Sequence, residues 1–210
     1  MAAVASPSIG ATTDRPGREA VLCASLAGAF AVTVVPRGGD LAAHLYRTSL
    51  VSHGVLVWDN LWFAGQYPLS SHSLLYYPLA ALVGNTTLAI VGVVAAAGVF
   101  ALVAMREWHA VGRWPARTFA VLLAGQVFTA AHPYDLGLST LLATVWALQR
   151  RRLWLAVCCI AATLAISPLA FLFLALVLAA LFVRHRREAR SWTVRMGGEA
   201  ASSARRAPAA

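Results

Sequence analysis

Asp40, His44 and Arg47 are spaced four and then three residues apart. At about 100° per residue, that spacing sets all three on one narrow stripe of a helix. A carboxylate can take a proton from a hydroxyl or hold a divalent cation, an imidazole can assist, and a guanidinium can grip phosphate through two parallel hydrogen bonds. Asp40 and His44 are therefore candidate catalytic residues, with Arg47 a candidate substrate ligand. Leu41, Leu45 and Thr48 share another stripe, so the helix is expected to lie on a membrane surface with its polar stripe lifted. The plainer reading of the same residues is an Asp40 N-cap after Gly38-Gly39, with Asp40 and His44 as an ordinary i,i+4 pair.

Two further segments carry polar chemistry. In Trp58-Asp59-Asn60-Leu61-Trp62-Phe63-Ala64-Gly65-Gln66-Tyr67-Pro68, Trp58 and Tyr67 can form a platform for a sugar ring while Asp59 and Asn60 bond its hydroxyls. The competing reading is a short interfacial helix capped by Asp59 and ended by Gly65. In His132-Pro133-Tyr134-Asp135, His132 and Asp135 can join Asp40 around a phosphate or a metal, or simply make a helix-hairpin turn. No ligand-spacing motif marks a metal site or a cofactor, which leaves a divalent cation as the single cofactor these residues admit. Cys23, Cys158 and Cys159 lie inside apolar runs and read as small buried hydrophobes.

The elements that must position these residues follow from composition. The chain has 210 residues, 60% of them hydrophobic and only 12% charged. Soluble domains run nearer half apolar and a quarter charged, and several runs here approach the length of a bilayer span. The net charge is +9, and every basic residue is an arginine at the end of an apolar run. Membrane topology explains that placement and nucleic-acid binding does not. The expected fold is an all-α, polytopic transmembrane helix bundle of about six spans, with interfacial helices in the first outer loop. Residues 1–19 read as a disordered cytosolic leader, 20–183 as the transmembrane domain with outer loop 36–72, and 184–210 as a basic, disordered cytosolic tail.

Arginines sort the ends. Arg15 and Arg18, then Arg106, Arg113 and Arg117, then Arg150 to Arg152, then Arg184 to Arg190 alternate with outward turns if all four clusters are cytoplasmic. This requires turns at 132–135 and at Ser167-Pro168, and it puts both termini inside a multi-pass protein of the cell membrane. One proline-kinked helix over 153–183 would instead be roughly 46 Å long and would push the last cluster outside. All five tyrosines and the acids Asp40, Asp59 and Asp135 then gather on the outer side. Gly92 and Gly98, among alanines, predict close helix packing.

The layout resembles the N-terminal part of GT-C-type polytopic membrane glycosyltransferases. The residues carrying the resemblance are Gly39-Asp40 past the first span, the Trp58–Tyr67 stretch with Gly65-Gln66-Tyr67-Pro68, and Leu75-Tyr76-Tyr77-Pro78-Leu79. Pro133-Tyr134-Asp135-Leu136-Gly137-Leu138 and Ser167-Pro168-Leu169-Ala170 are similar to runs in actinobacterial membrane proteins of this type. The resemblance spans about residues 20–183 and implies sugar transfer from a polyprenyl-phosphate donor to an outer-face acceptor in envelope or glycolipid assembly. It assigns Asp40 as base or metal contact, although Gly39 and Leu41 replace the usual paired acid. Such enzymes have about twice as many spans, so a truncated, inactive member is a further expectation. The alternative is a non-catalytic membrane scaffold working with a partner membrane subunit, with a transporter subunit third. Membrane lipid is the expected partner throughout.

Overall fold

A computed structural model describes residues 10–34, 38–55, 73–184 and 186 of the chain. Every regular element among them is helical. The α-helices are α1 (Gly10–Val34), α2 (Leu41–Ser52), α3 (Tyr76–Val83), α4 (Asn85–Trp108), α5 (Arg113–Ala124), α6 (His132–Gln149) and α7 (Leu153–Ile166). Short 3₁₀ turns, His109–Gly112 and Gly125–Thr129, join α4 to α5 and extend α5. The chain divides into two compact units at Phe171–Leu172. A further apolar helix, Pro168–Arg184, crosses that division. In the second unit the Arg186 guanidinium lies 4.5 Å from the centre of the Phe182 ring.

The helical stretch Asn85–Thr129 is long and apolar enough to cross a membrane; Leu153–Ile166 and Pro168–Arg184 are apolar but shorter. Within the first unit α4 is the central element and packs on α6, α1 and α5. Small residues let it do so. A Cβ on Gly92 would stand 2.9 Å from Leu136 N and 3.0 Å from its Cα, so α4 and α6 approach with almost no side chain between them. Ala89, Ala96, Ala97, Ala101 and Ala104 of α4 are all wholly buried. Large apolar side chains point the other way, with Leu26 72%, Leu122 70% and Trp154 86% exposed. A hydroxyl pair also ties α6 to α7, Thr163 Oγ1 donating to Thr140 Oγ1 over 2.9 Å.

Two boundaries differ from the sequence reading. Helix α1 begins at Gly10, so the second half of the expected disordered leader is helical. Its Glu19 binds Arg117 at 2.7 Å and Arg113 at 3.4 Å, which anchors this turn to the start of α5. The break between α5 and α6 falls at Ala130–Ala131, and His132–Asp135 is the first turn of α6. Proline fits there because a first-turn N–H has no helical partner to lose. The expected break at Ser167-Pro168 is present: α7 ends at Ile166, with Ser167 extended, so 153–183 forms two helices. Cys158 is exposed and the other two cysteines are half-buried, contrary to the buried reading.

Candidate functional site

Helix α2 does not carry its polar stripe away from the protein. His44 is its buried residue, while Leu45 and Tyr46 are exposed. His44 and Arg47 turn inward because Tyr77 of α3 waits there, and the neighbouring Thr48 finds Asn85 of α4. Thr48 and Asn85 exchange hydrogen bonds of 2.9 and 3.2 Å, and Tyr76 Oη donates to Asn85 Oδ1 over 3.2 Å. Gly38, just before α2, sits against the Phe128 carbonyl where any side chain would collide. Segment 73–75 is pinned in turn to the end of α7. Leu74 and Leu75 N–H groups donate to the Ala165 carbonyl at 2.8 and 3.0 Å, and Ser73 Oγ donates to the Ile166 carbonyl. These bonds satisfy carbonyls that a helix C-terminus otherwise leaves open.

Inside this frame Arg47, Tyr77 and His44 form a chain. Arg47 Nη1 donates to Tyr77 Oη over 3.0 Å, and Tyr77 Oη lies 3.0 Å from His44 Nδ1. With His44 neutral, Tyr77 Oη can accept from arginine and donate its own proton to His44 Nδ1. The Ala130 backbone hydrogen-bonds the same ring. Ala130 takes the left-handed conformation, φ 56°, rare for a residue with a Cβ. His44 is a neutral imidazole. Burial, then the neighbouring His132, push its pKa down to about 4, and Arg47 adds to that while Ala130 and Asp40 oppose it. Burial also raises Tyr77, though Arg47 pulls against it, and it raises Tyr76, with Tyr77 and Asp135 adding to the shift.

His132 stacks 5.5 Å from His44, centre to centre, at 33°. Its Nδ1 is 3.9 Å from Asp135 Oδ2, an ion-pair distance too long for a hydrogen bond. The two side chains are 4% and 0% exposed. Neither Asp135 oxygen has a hydrogen-bond partner among the described residues. An unpartnered buried carboxylate is costly, and in native proteins such groups need a reason.

Of the residues singled out in the sequence, the structure brings together His44, Arg47, His132 and Asp135. Asp40 stands exposed at the head of α2 without a side-chain capping bond, so the N-cap reading holds by position but not by hydrogen bond. Trp58, Asp59, Asn60 and Tyr67 lie outside the described residues. No three metal-ligating side chains gather among the described residues, so a divalent cation has no ligand set there. Tyr76, Tyr77 and Asn85 were not singled out as site residues, although polar groups in apolar runs are the signal that could have found them. Comparison with protein-family models, curated proteins and solved structures finds no match to this chain.

Proposed function

We propose that this is a six-span protein of the cell membrane, both termini cytoplasmic, whose outer end transfers sugar from a polyprenyl-phosphate donor to an acceptor hydroxyl. The membrane reading is supported by the inverted side-chain distribution. Alanine and glycine fill the helix contacts while leucine, phenylalanine and tryptophan face outward. In lipid, apolar surface gains nothing by hiding, and small residues at helix contacts give close van der Waals packing. In water the same surface would drive aggregation. The spans are α1, α4, α5, α6, α7 and Pro168–Arg184. Two pairings fit this topology. Glu19 meets Arg113 and Arg117, all assigned to the cytoplasmic side, and His44 meets His132, both assigned outside.

The observation that carries the transfer reading is the convergence of Arg47 with Tyr77, His44, His132 and Asp135 from three distant segments. Arg47 is the phosphate ligand, aimed by Tyr77, which His44 holds in turn. His44 is a positioning residue and stays neutral near pH 7. Asp40, exposed one turn earlier, takes the proton from the acceptor hydroxyl. That oxygen bonds the anomeric carbon as the carbon–oxygen bond to phosphate breaks, and the polyprenyl phosphate leaves against Arg47.

Reconstituted protein given a polyprenyl-phosphate sugar and an alcohol acceptor tests this. Asp40→Asn abolishes turnover, and Arg47→Gln raises the KM for donor; unchanged kinetics in either removes that residue's role. A non-catalytic scaffold is the second reading, favoured by the internal saturation of the His44 ring. In that case the wild type binds no polyprenyl phosphate and Arg47→Gln alters stability alone.

A further inference from the structure

Away from the polar site, α1 and α4 flank an open apolar groove of about 1040 Å³ lined by Val21, Ile90, Val94, Gly98 and Leu102, with Arg18 at its rim. The two helices run antiparallel along it. A Cβ on Gly17 would lie 3.8 Å from Leu102, and one on Gly98 would meet Val21 at 2.9 Å. Arg18 therefore stands at the Leu102 end. Along α4 the lining runs from Ile90 to Leu102, or about 18 Å at 1.5 Å per residue. One leaflet of a bilayer's hydrocarbon core is about 15 Å deep. The groove thus has the length of one leaflet, with a guanidinium at one end and only apolar side chains along the rest.

The Leu102 end is also the basic, aromatic end of α4. Arg106, Arg113 and Arg117 follow within a few residues, with Glu19 and Glu107 the carboxylates beside them. Trp108 is 51% and Trp114 70% exposed, as indoles at headgroup depth would be. We infer that this groove binds one acyl chain of an anionic phospholipid of the inner leaflet, its phosphate on Arg18. The inference rests on the membrane reading above but not on sugar transfer. Charge decides the occupant: a zwitterionic lipid fills the groove equally well but gains no net attraction from the excess of arginine. Gly17 and Gly98 bring α1 and α4 together at one edge, which leaves the facing side open to lipid.

Native mass spectrometry of the full chain, released from micelles holding equal phosphatidylglycerol and phosphatidylcholine, tests the site. One phosphatidylglycerol is retained about fivefold over phosphatidylcholine, the effect of one arginine near an anionic surface. Arg18→Gln brings the two near parity. Val91→Trp, at a groove position that is 51% exposed and so carries little packing, displaces both lipids. A preference that survives Arg18→Gln, retention undiminished in Val91→Trp, or a lipid-free dimer occupying the groove each overturns the inference. Extraction of the wild type from vesicles at alkaline pH overturns the membrane reading instead, so the two failures are distinct.

Discussion

Acidification should loosen the packing of α2 on α3 and α6 through His44 in particular. In the unfolded chain the imidazole protonates near its ordinary value of 6.5, whereas in the folded chain it waits until about 4. Above 6.5 both states are neutral and His44 contributes no pH dependence. Between those values the unfolded state binds the extra proton, so stability falls as pH falls; below about 4 both states are protonated and the loss levels off. A gap of that width corresponds to about 3 kcal/mol at 1.36 kcal/mol per unit. A difference measurement isolates His44. His44→Asn keeps an acceptor for the Tyr77 hydroxyl and cannot titrate. Unfolding in mixed detergent, followed by tryptophan fluorescence in steps from pH 7 to pH 4, should show the wild type losing about 3 kcal/mol more than His44→Asn. Parallel curves would refute the reasoning, since they would mean that His44 is protonated in the fold or is not buried against His132.

Two other substitutions probe the frame. Gly92→Ala places a Cβ 2.9 Å from Leu136 N and must part α4 from α6, destabilising by about 1–3 kcal/mol. Gly39→Ala, where nothing lies within 4 Å, is the matched control, and equal unfolding midpoints for the pair would contradict the close approach. Tyr77→Phe leaves His44 Nδ1 and Arg47 Nη1 each without the hydroxyl they share. It should cost about 1–3 kcal/mol in stability and weaken binding of polyprenyl phosphate, measured on the purified protein in micelles; donor affinity equal to wild type would detach Tyr77 from Arg47.

The helices were legible where one physical rule acts over a long run. The apolar stretch Thr87–Met105 lies within α4, Pro115 falls in the first turn of α5, and Gly92 marks a helix contact. Sequence periodicity shows which residues share a face of a helix. It does not show what that face meets. Asp40, His44 and Arg47 do share a stripe, yet His44 and Arg47 turn inward because Tyr77, 33 and 30 residues beyond them, offers its hydroxyl to both. No local rule reports such distant partners. The same limit applies to His132-Pro133, which reads as a helix breaker in isolation. Tertiary structure makes it a helix start, after Ala130 has taken the left-handed turn.

Alanine faces such as those of α4 pack closely but discriminate poorly. A small slide buries much the same area, and dispersion between small side chains varies little with register. Hydrogen bonds are directional, and a buried polar group that misses its partner loses the full desolvation penalty. The Thr48–Asn85–Tyr76 and Arg47–Tyr77–His44 networks therefore do more than decorate one end of the molecule. They fix where α2 and α3 sit on α4 and α6, and with them the height of the Arg47 guanidinium. Among the described residues, the Asp135 carboxyl and His132 Nδ1 have no hydrogen-bond partner inside that frame. If the networks existed only to lock register, a polar group left in that state would be a defect in them. A carboxyl kept buried 3.9 Å from the His132 ring suits the proposed site, whose last hydrogen bonds would come from what it binds.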